Sequence, residues 1–301
     1  MNNIKEDDEP FVRREDLHRK KKKKRTIGDI LFYAVPILAL TVVISCGTMF
    51  IRDFLEYKAG EDAYNTIEEK YIMVYTDDGS SDNASGGKTD GGSGAGEAAG
   101  ETWEYPALDI DFAGLTALNP DFAGVIVIPS LNITYPMVYS EDNVDYLHVT
   151  FDKQSNSAGS IFYDALSPHD FLSKNTFIFG HNMKNGTMFG KLKWFLSKPE
   201  LCAANPYIYI YTEDKVRRYE IFSYYKTQED SKTYEDFEGE DGYDDYVAMC
   251  MKLSQFSAYA DDIDFTKRPD LLTLSTCSGP AGGSTRFPVH AALTGVQRYQ
   301  A

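Results

Sequence analysis

Between Ile30 and Ile51 the chain runs for 22 residues without a formal charge, shortly after seven consecutive basic residues, Arg19 to Arg25. A helix of that length reaches about 33 Å, enough for a hydrocarbon core of about 30 Å. Pro36 kinks such a helix but is tolerated inside a membrane. A cleaved signal peptide has a shorter apolar region and a small-residue cleavage site. Arg52, Asp53 and Phe54 do not resemble that site. The reading is a retained signal anchor. The basic block keeps the N-terminus in the cytoplasm, and residues 52–301 face outward. A buried core helix is the alternative.

Charge narrows the partners. The whole chain carries 46 acidic and 30 basic residues, a net −16. Residues 1–51 hold ten Lys/Arg and seven Asp/Glu, net +3, which leaves 20 and 39 in residues 52–301, net −19. So acidic a body is a poor match for a phosphate backbone, which excludes nucleic acid. Hydrophobic residues at 43% and aromatics at 14% are ample for a core and exclude a wholly disordered chain. The four cysteines, Cys46, Cys202, Cys250 and Cys277, contain no CxxC pair, which argues against zinc ribbons and a disulfide framework. No metal-ligand constellation is visible, and none is expected.

The outward part changes character twice. Residues 52–75 read as a helical stalk, with Tyr64, Ile67, Tyr71 and Val74 on one face. Residues 76–101 are a flexible linker: Gly and Ser fill 12 of the 25 positions 76–100. Residues 102–301 are a single-domain length. Strand-like runs cover 124–128, 133–139, 160–163, 176–179, 207–211, 217–225, 271–276 and 287–296. Eight short strands predict a mainly β body, a closed or nearly closed barrel. Helical patterns cover 188–196, opened by Thr187, and 243–259, with Tyr246, Met249, Cys250, Leu253 and Phe256 on one face. The acidic stretch 261–264 reads as a solvated loop.

Cys277 follows the strand-like run LLTLST and precedes the turn Ser278-Gly279-Pro280. A thiol there is positioned and reachable, but it needs a nearby base or cation to act as a nucleophile. Arg286 opens the next strand. If the two strands pair, its guanidinium comes near Cys277 and can steady an oxyanion. Of five histidines, His18 lies on the cytoplasmic side, and His148 and His169 have ordinary surroundings. His181 ends the apolar run NTFIFG, the same kind of position as Cys277, and His290 lies on the last strand. On pattern alone the base is His181 or His290. Cys46 and Cys250 read as structural thiols. A Cys202–Cys250 disulfide is open to a domain outside the cell.

At these residues the chain resembles the sortases, cysteine transpeptidases of Gram-positive surfaces, and specifically class B. Leu272-Thr-Leu-Ser-Thr-Cys277 with Arg286-Phe-Pro-Val is similar to the TLxTC…R signature. Phe179-Gly-His-Asn-Met-Lys-Asn-Gly-Thr-Met-Phe189 resembles the class B histidine motif. Residues 119–124, 133–138, 142–147 and 159–162 also follow class B, so the likeness spans about 115–297. It implies an eight-stranded sortase barrel with Cys277 as nucleophile, His181 as general acid/base and Arg286 as the group that binds substrate and oxyanion. It places Ser275, Asn143, Leu147 and Thr227 along the sorting-signal groove. It likens 228–265 to the class B insert between the sixth and seventh strands. Two positions depart from the pattern. Ser278 stands where class B often has an acid, and Pro288 interrupts the β-branched run after Arg286, where a bulge is expected.

The implied reaction cleaves a C-terminal sorting signal of NPxTN or related type after Thr. It passes the acyl group through a thioester to an amine of peptidoglycan or its lipid-linked precursor, with no cofactor. A thiol endopeptidase releasing to water and a non-catalytic wall-binding module are the alternatives. A pilus-polymerising sortase fits less well.

Overall fold

The computed structural model describes residues 27–74, 103–168, 171, 173–256, 263–277 and 283–299. The basic tail 1–26, the linker 76–101, His18, His169, Asp261, Asp262 and Ser278 lie outside them. The chain divides into two compact units, with the boundary between Asp53 and Phe54. Helix α1 runs from Ile27 to Tyr71 with Pro36 inside it. Its first half is exposed throughout residues 31–51 and includes an 18-residue window of mean hydropathy 2.2. It is long and apolar enough to cross a membrane. An exposed apolar surface of that extent is foreign to an isolated soluble fold.

The second half of α1 belongs to the other unit. Tyr64 and Ile67 are buried in its main core. The Tyr64 hydroxyl donates to the Gly159 carbonyl at 2.7 Å and accepts from the Phe151 N–H at 3.2 Å. The helix expected over 52–75 therefore ends earlier, at Tyr71. Ile72–Val74 instead forms strand β1, which pairs antiparallel with β2, Leu108–Ile110. The backbone gains a ladder partner there and buries Ile72.

After a short helix α2, Phe112–Leu118, capped by the Asp111 carboxylate, the strands follow in order. They are β3 Phe122–Ile128, β4 Ile133–Tyr139, β5 Ile161–Tyr163, β6 Asn175–Phe179, β7 Tyr207–Tyr211, β8 Lys215–Tyr224, β9 Thr227–Gln228, β10 Leu271–Cys277 and β11 Thr285–Arg298. Neighbours run β10-β6-β5-β4-β3-β7-β8-β11, and β11 pairs back to β10, so eight strands close a barrel; β9 adds to the start of β11. Closure leaves no edge within the ring to attract another chain. All eight expected strands are present. β1, β2 and β9 were not expected, being too short to show a pattern. Gly124 sits at a register shift in β3 with φ near +142°, and a Cβ there would lie 2.5 Å from the Tyr211 carbonyl oxygen. Only glycine lets β7 approach at that point.

Two further helical expectations need correction. The run 188–196 splits into a 3-10 turn, Phe189–Lys191, and a single turn α3, Trp194–Ser197. Met188, the residue before that 3-10 turn, has φ 53°, which prevents a continuous helix. A further short helix α4, Pro199–Ala204, follows. The pattern over 243–259 begins earlier and ends sooner, as α5, Gly239–Leu253. Its Tyr243, Tyr246, Val247 and Cys250 form a second core with Phe222, Leu271 and Ala292, whereas Leu253 is exposed and Phe256 joins the main core. The Cys202–Cys250 disulfide is absent. Both thiols are free and buried, one in each core, and burial pushes each up to about 12.

The bulge expected at Pro288 is also absent: β10 and β11 stay in register from Leu271–Ala292 to Cys277–Arg286. Pro288 directs its carbonyl to Tyr225, where β11 changes partner from β9 to β8. Its missing N–H falls at that change and costs no ladder bond. The bulges in β11 lie further on, at His290/Ala291 and Leu293/Gly295.

Candidate active site

Three neighbouring strands bring the expected residues to one end of the barrel. β10 and β11 pair with Cys277 opposite Arg286. β6 and β10 run parallel with Phe179 beside Ser275, and the Gly180 N–H donates to the Ser275 carbonyl at 3.2 Å. His181 lies two residues past Phe179, and Cys277 two residues past Ser275. Cys277 and Arg286 thus face each other across β10 and β11, and His181 follows the end of β6, the parallel neighbour of β10.

His181 reaches its place because Gly180 has no side chain. A Cβ there would stand 2.5 Å from Ile161 and 2.7 Å from Phe189. The Nε2 of His181 lies 2.7 Å from the Leu147 carbonyl. A carbonyl only accepts, so Nε2 carries the proton and Nδ1 is the acceptor of the neutral ring. Burial lowers the pKa of His181, the Leu147 bond partly opposes this, and the nearby His148 ring adds to the lowering. A ring held neutral with its tautomer set is a base ready to take a proton.

His290, the other candidate base, is fully buried in contact with Phe222, Tyr225 and Tyr246. Its Nδ1 meets Thr273 Oγ1 at 3.0 Å and its Nε2 meets the Tyr225 hydroxyl at 3.1 Å. Burial holds its pKa down at about 3. Both nitrogens are committed, and it pairs with Thr273, four residues before Cys277. It is a packing residue.

Arg286 is half-buried. Its Nη1 donates to the Gly283 carbonyl at 2.6 Å and the Thr285 carbonyl at 3.3 Å, and its Nη2 pairs with the Glu229 carboxylate. It lines a cavity of about 300 Å³. Phe177 and Phe179 of β6 and Tyr234 give the cavity aromatic walls, and Asp164, Glu229 and Asp236 place carboxylates around it. Ser275 also lines it and shares a 2.6 Å hydrogen bond with the Tyr234 hydroxyl. A second cavity of about 170 Å³ shares Asp164, Leu166, Phe177 and Asp236, so the two make one elongated groove.

The other expected groove residues are placed differently. Thr227 pairs with Arg286 from β9. Leu147 supplies the carbonyl that holds His181. Asn143, at φ 58°, donates to Asp164 and accepts from the Ala165 N–H at 2.7 Å, tying down one wall of the groove. Sequence reasoning missed Phe177, Phe179, Tyr234, Glu229 and Asp236. The alternation in NTFIF places 177 and 179 on one strand face and was a usable signal. The other three sit in the irregular insert, which has no period to read.

Comparison with known proteins places the fold in a family. A family model described as the sortase domain matches residues 126–294. Sortase B of Listeria monocytogenes is 32% identical over 232 residues, covering 74% of this chain and 84% of the relative. The structure of Clostridium perfringens sortase B aligns with TM-score 0.56 and 32% identity, over 61% of this chain and 99% of that one. A Staphylococcus aureus sortase B–substrate complex aligns with TM-score 0.55 and 27% identity, over 61% and 84%. With its closed eight-stranded barrel and its family match, the chain belongs to the sortases, a family of cysteine transpeptidases, and its relatives are sortases of type B.

Proposed function

We propose that this chain is a membrane-anchored transpeptidase in which Cys277, His181 and Arg286 carry the reaction. The observation that supports it most is the pairing of Cys277 with Arg286, which lines the aromatic groove, beside the end of β6 that leads into His181. The Cys277 thiol gives its proton to Nδ1 of His181 and attacks the Thr carbonyl of an NPxTN-like signal. Arg286 steadies the negative oxygen that develops. The C–N bond breaks, the leaving amine takes the proton from His181, and an acyl thioester remains. An amine of peptidoglycan or its lipid-linked precursor then attacks. Its proton passes through His181 to the departing thiolate, and an amide joins protein to wall. The thioester conserves the energy of the cut bond, so no nucleotide is required.

The substrate-bound S. aureus relative supports a peptide in the groove. Ser275, Asn143, Leu147 and Thr227 are proposed to line or brace the path of the signal. The apolar half of α1 supports a single-pass anchor with the N-terminus cytoplasmic and the catalytic domain extracellular. The proposed layout is tail 1–26, anchor 27–51, a stalk 52–75 that is helical to Tyr71, linker 76–101 and catalytic domain 102–301.

The test incubates the protein with an NPxTN peptide and an amine, with mass detection of products. Wild type yields the amine-joined peptide and a thioester adduct, and Cys277→Ala yields neither. Undiminished turnover by Cys277→Ala overturns the assignment. Release of free acid alone with excess amine present establishes the endopeptidase instead.

A further inference from the structure

Arg286 is useful to the reaction only if its guanidinium is held in one orientation. Its own side chain is long and has many rotamers. Two carbonyls of its own loop, Gly283 and Thr285, hold Nη1, while Nη2 is held by Glu229, a residue from a different strand connection.

The position of Glu229 is set by backbone pairing. Thr227 pairs with Arg286 and Gln228 with Thr285. The Glu229 N–H then donates to the Ser284 carbonyl at 2.9 Å, and the Ser284 hydroxyl donates to the Gln228 side chain at 2.7 Å. These bonds fasten the β9 segment to the start of β11 and deliver the carboxylate to the guanidinium. Both Glu229 and Arg286 line the larger cavity. The ion pair is half-exposed, at 53% for the Glu229 side chain and 24% for Arg286. An exposed pair of this kind contributes little to folding. Its geometric effect is larger, because a guanidinium fork bound at fixed points has a fixed plane.

We infer that Glu229 is a positioning residue for Arg286, holding the guanidinium in the plane from which it meets the oxyanion of the reacting carbonyl. The inference rests on the proposed role of Arg286. It also assigns a function to the β9 segment, which keeps the carboxylate in reach while adding a wall to the groove.

The test uses the full chain in detergent micelles, with single-turnover acyl-enzyme formation measured at excess enzyme for wild type, Glu229→Gln, Glu229→Asp, Arg286→Ala and the double variant Glu229→Gln/Arg286→Ala. Thermal unfolding is recorded for each. Glu229→Gln is expected to lower the acylation rate constant about tenfold, with half-saturating peptide concentration changed less than about twofold and an unaltered unfolding midpoint. Glu229→Asp, which retains the charge and the acceptors, should recover part of the loss. In the Arg286→Ala background, Glu229→Gln should cost less than about twofold, since the carboxylate has nothing left to orient. A wild-type rate for Glu229→Gln overturns the inference, as does an equal tenfold loss in the Arg286→Ala background. A fully active Arg286→Ala is a separate outcome. It removes the assigned role of Arg286, and the role of Glu229 with it.

Discussion

Two histidines, one on β11 and one just past the end of β6, show how burial separates roles at the scale of single residues. His290 has both nitrogens bonded and its pKa held at about 3. In the unfolded chain a histidine binds its proton near pH 6.5. Between about pH 6.5 and 3 the unfolded state therefore holds a proton that folded His290 refuses. Stability rises with pH through that window and is lost as pH falls, with a limiting slope of about 1.4 kcal/mol per pH unit. His290→Gln should give a shallower acid loss in chemical denaturation across those values. An identical slope would contradict this. His181 is lowered in the same direction by burial, so the acid limb of the kcat/KM profile should lie below the ordinary histidine value. Replacing His148 with Gln removes a neighbour that opposes protonation of His181 and should move that limb upward. Gly180→Ala forces a methyl against Ile161 and Phe189, an overpacking worth about 1–3 kcal/mol. It should lower both the unfolding midpoint and turnover, as a thermal melt and the peptide assay would read.

Among the elements, what was legible depended on length and period. The eight ring strands carry alternating or continuously apolar runs, and their two-residue period can be read at once. β1, β2 and β9 have two or three residues each, too few to show a period, so the Glu229 support went unseen. The pairing that sets Cys277 opposite Arg286 was legible because each stands at the end of a patterned strand, whereas pattern alone left His181 and His290 both open as the proposed base. The docking of the second half of α1 was not legible, since an amphipathic face does not name its partner. That segment braces both loops around His181. Tyr64 binds Gly159 and Phe151, and Tyr135, packed edge-on to Tyr64, accepts from the Met188 N–H. Tyr64→Phe should cost about 1–3 kcal/mol, the usual penalty for stranding buried polar groups. Hydrogen exchange in 146–160 should quicken more than in β3. Uniform exchange across the domain would contradict the bracing role.

For the whole molecule, an apolar helix and an acidic unit are joined in one chain, and the proposed chemistry requires a thiol, an imidazole and a guanidinium to act together. The free cysteines Cys202 and Cys250 supply internal controls, because burial pushes both thiols up to about 12. The most direct measurement is site-resolved alkylation of the folded full chain against pH, comparing wild type with His181→Gln. The account predicts that Cys277 is labelled near neutral pH while Cys202 and Cys250 stay unlabelled, and that His181→Gln moves the Cys277 profile up toward that of a free thiol, about pH 8.5. A Cys277 profile unchanged by loss of the imidazole would show that the two groups do not meet, and would contradict the account.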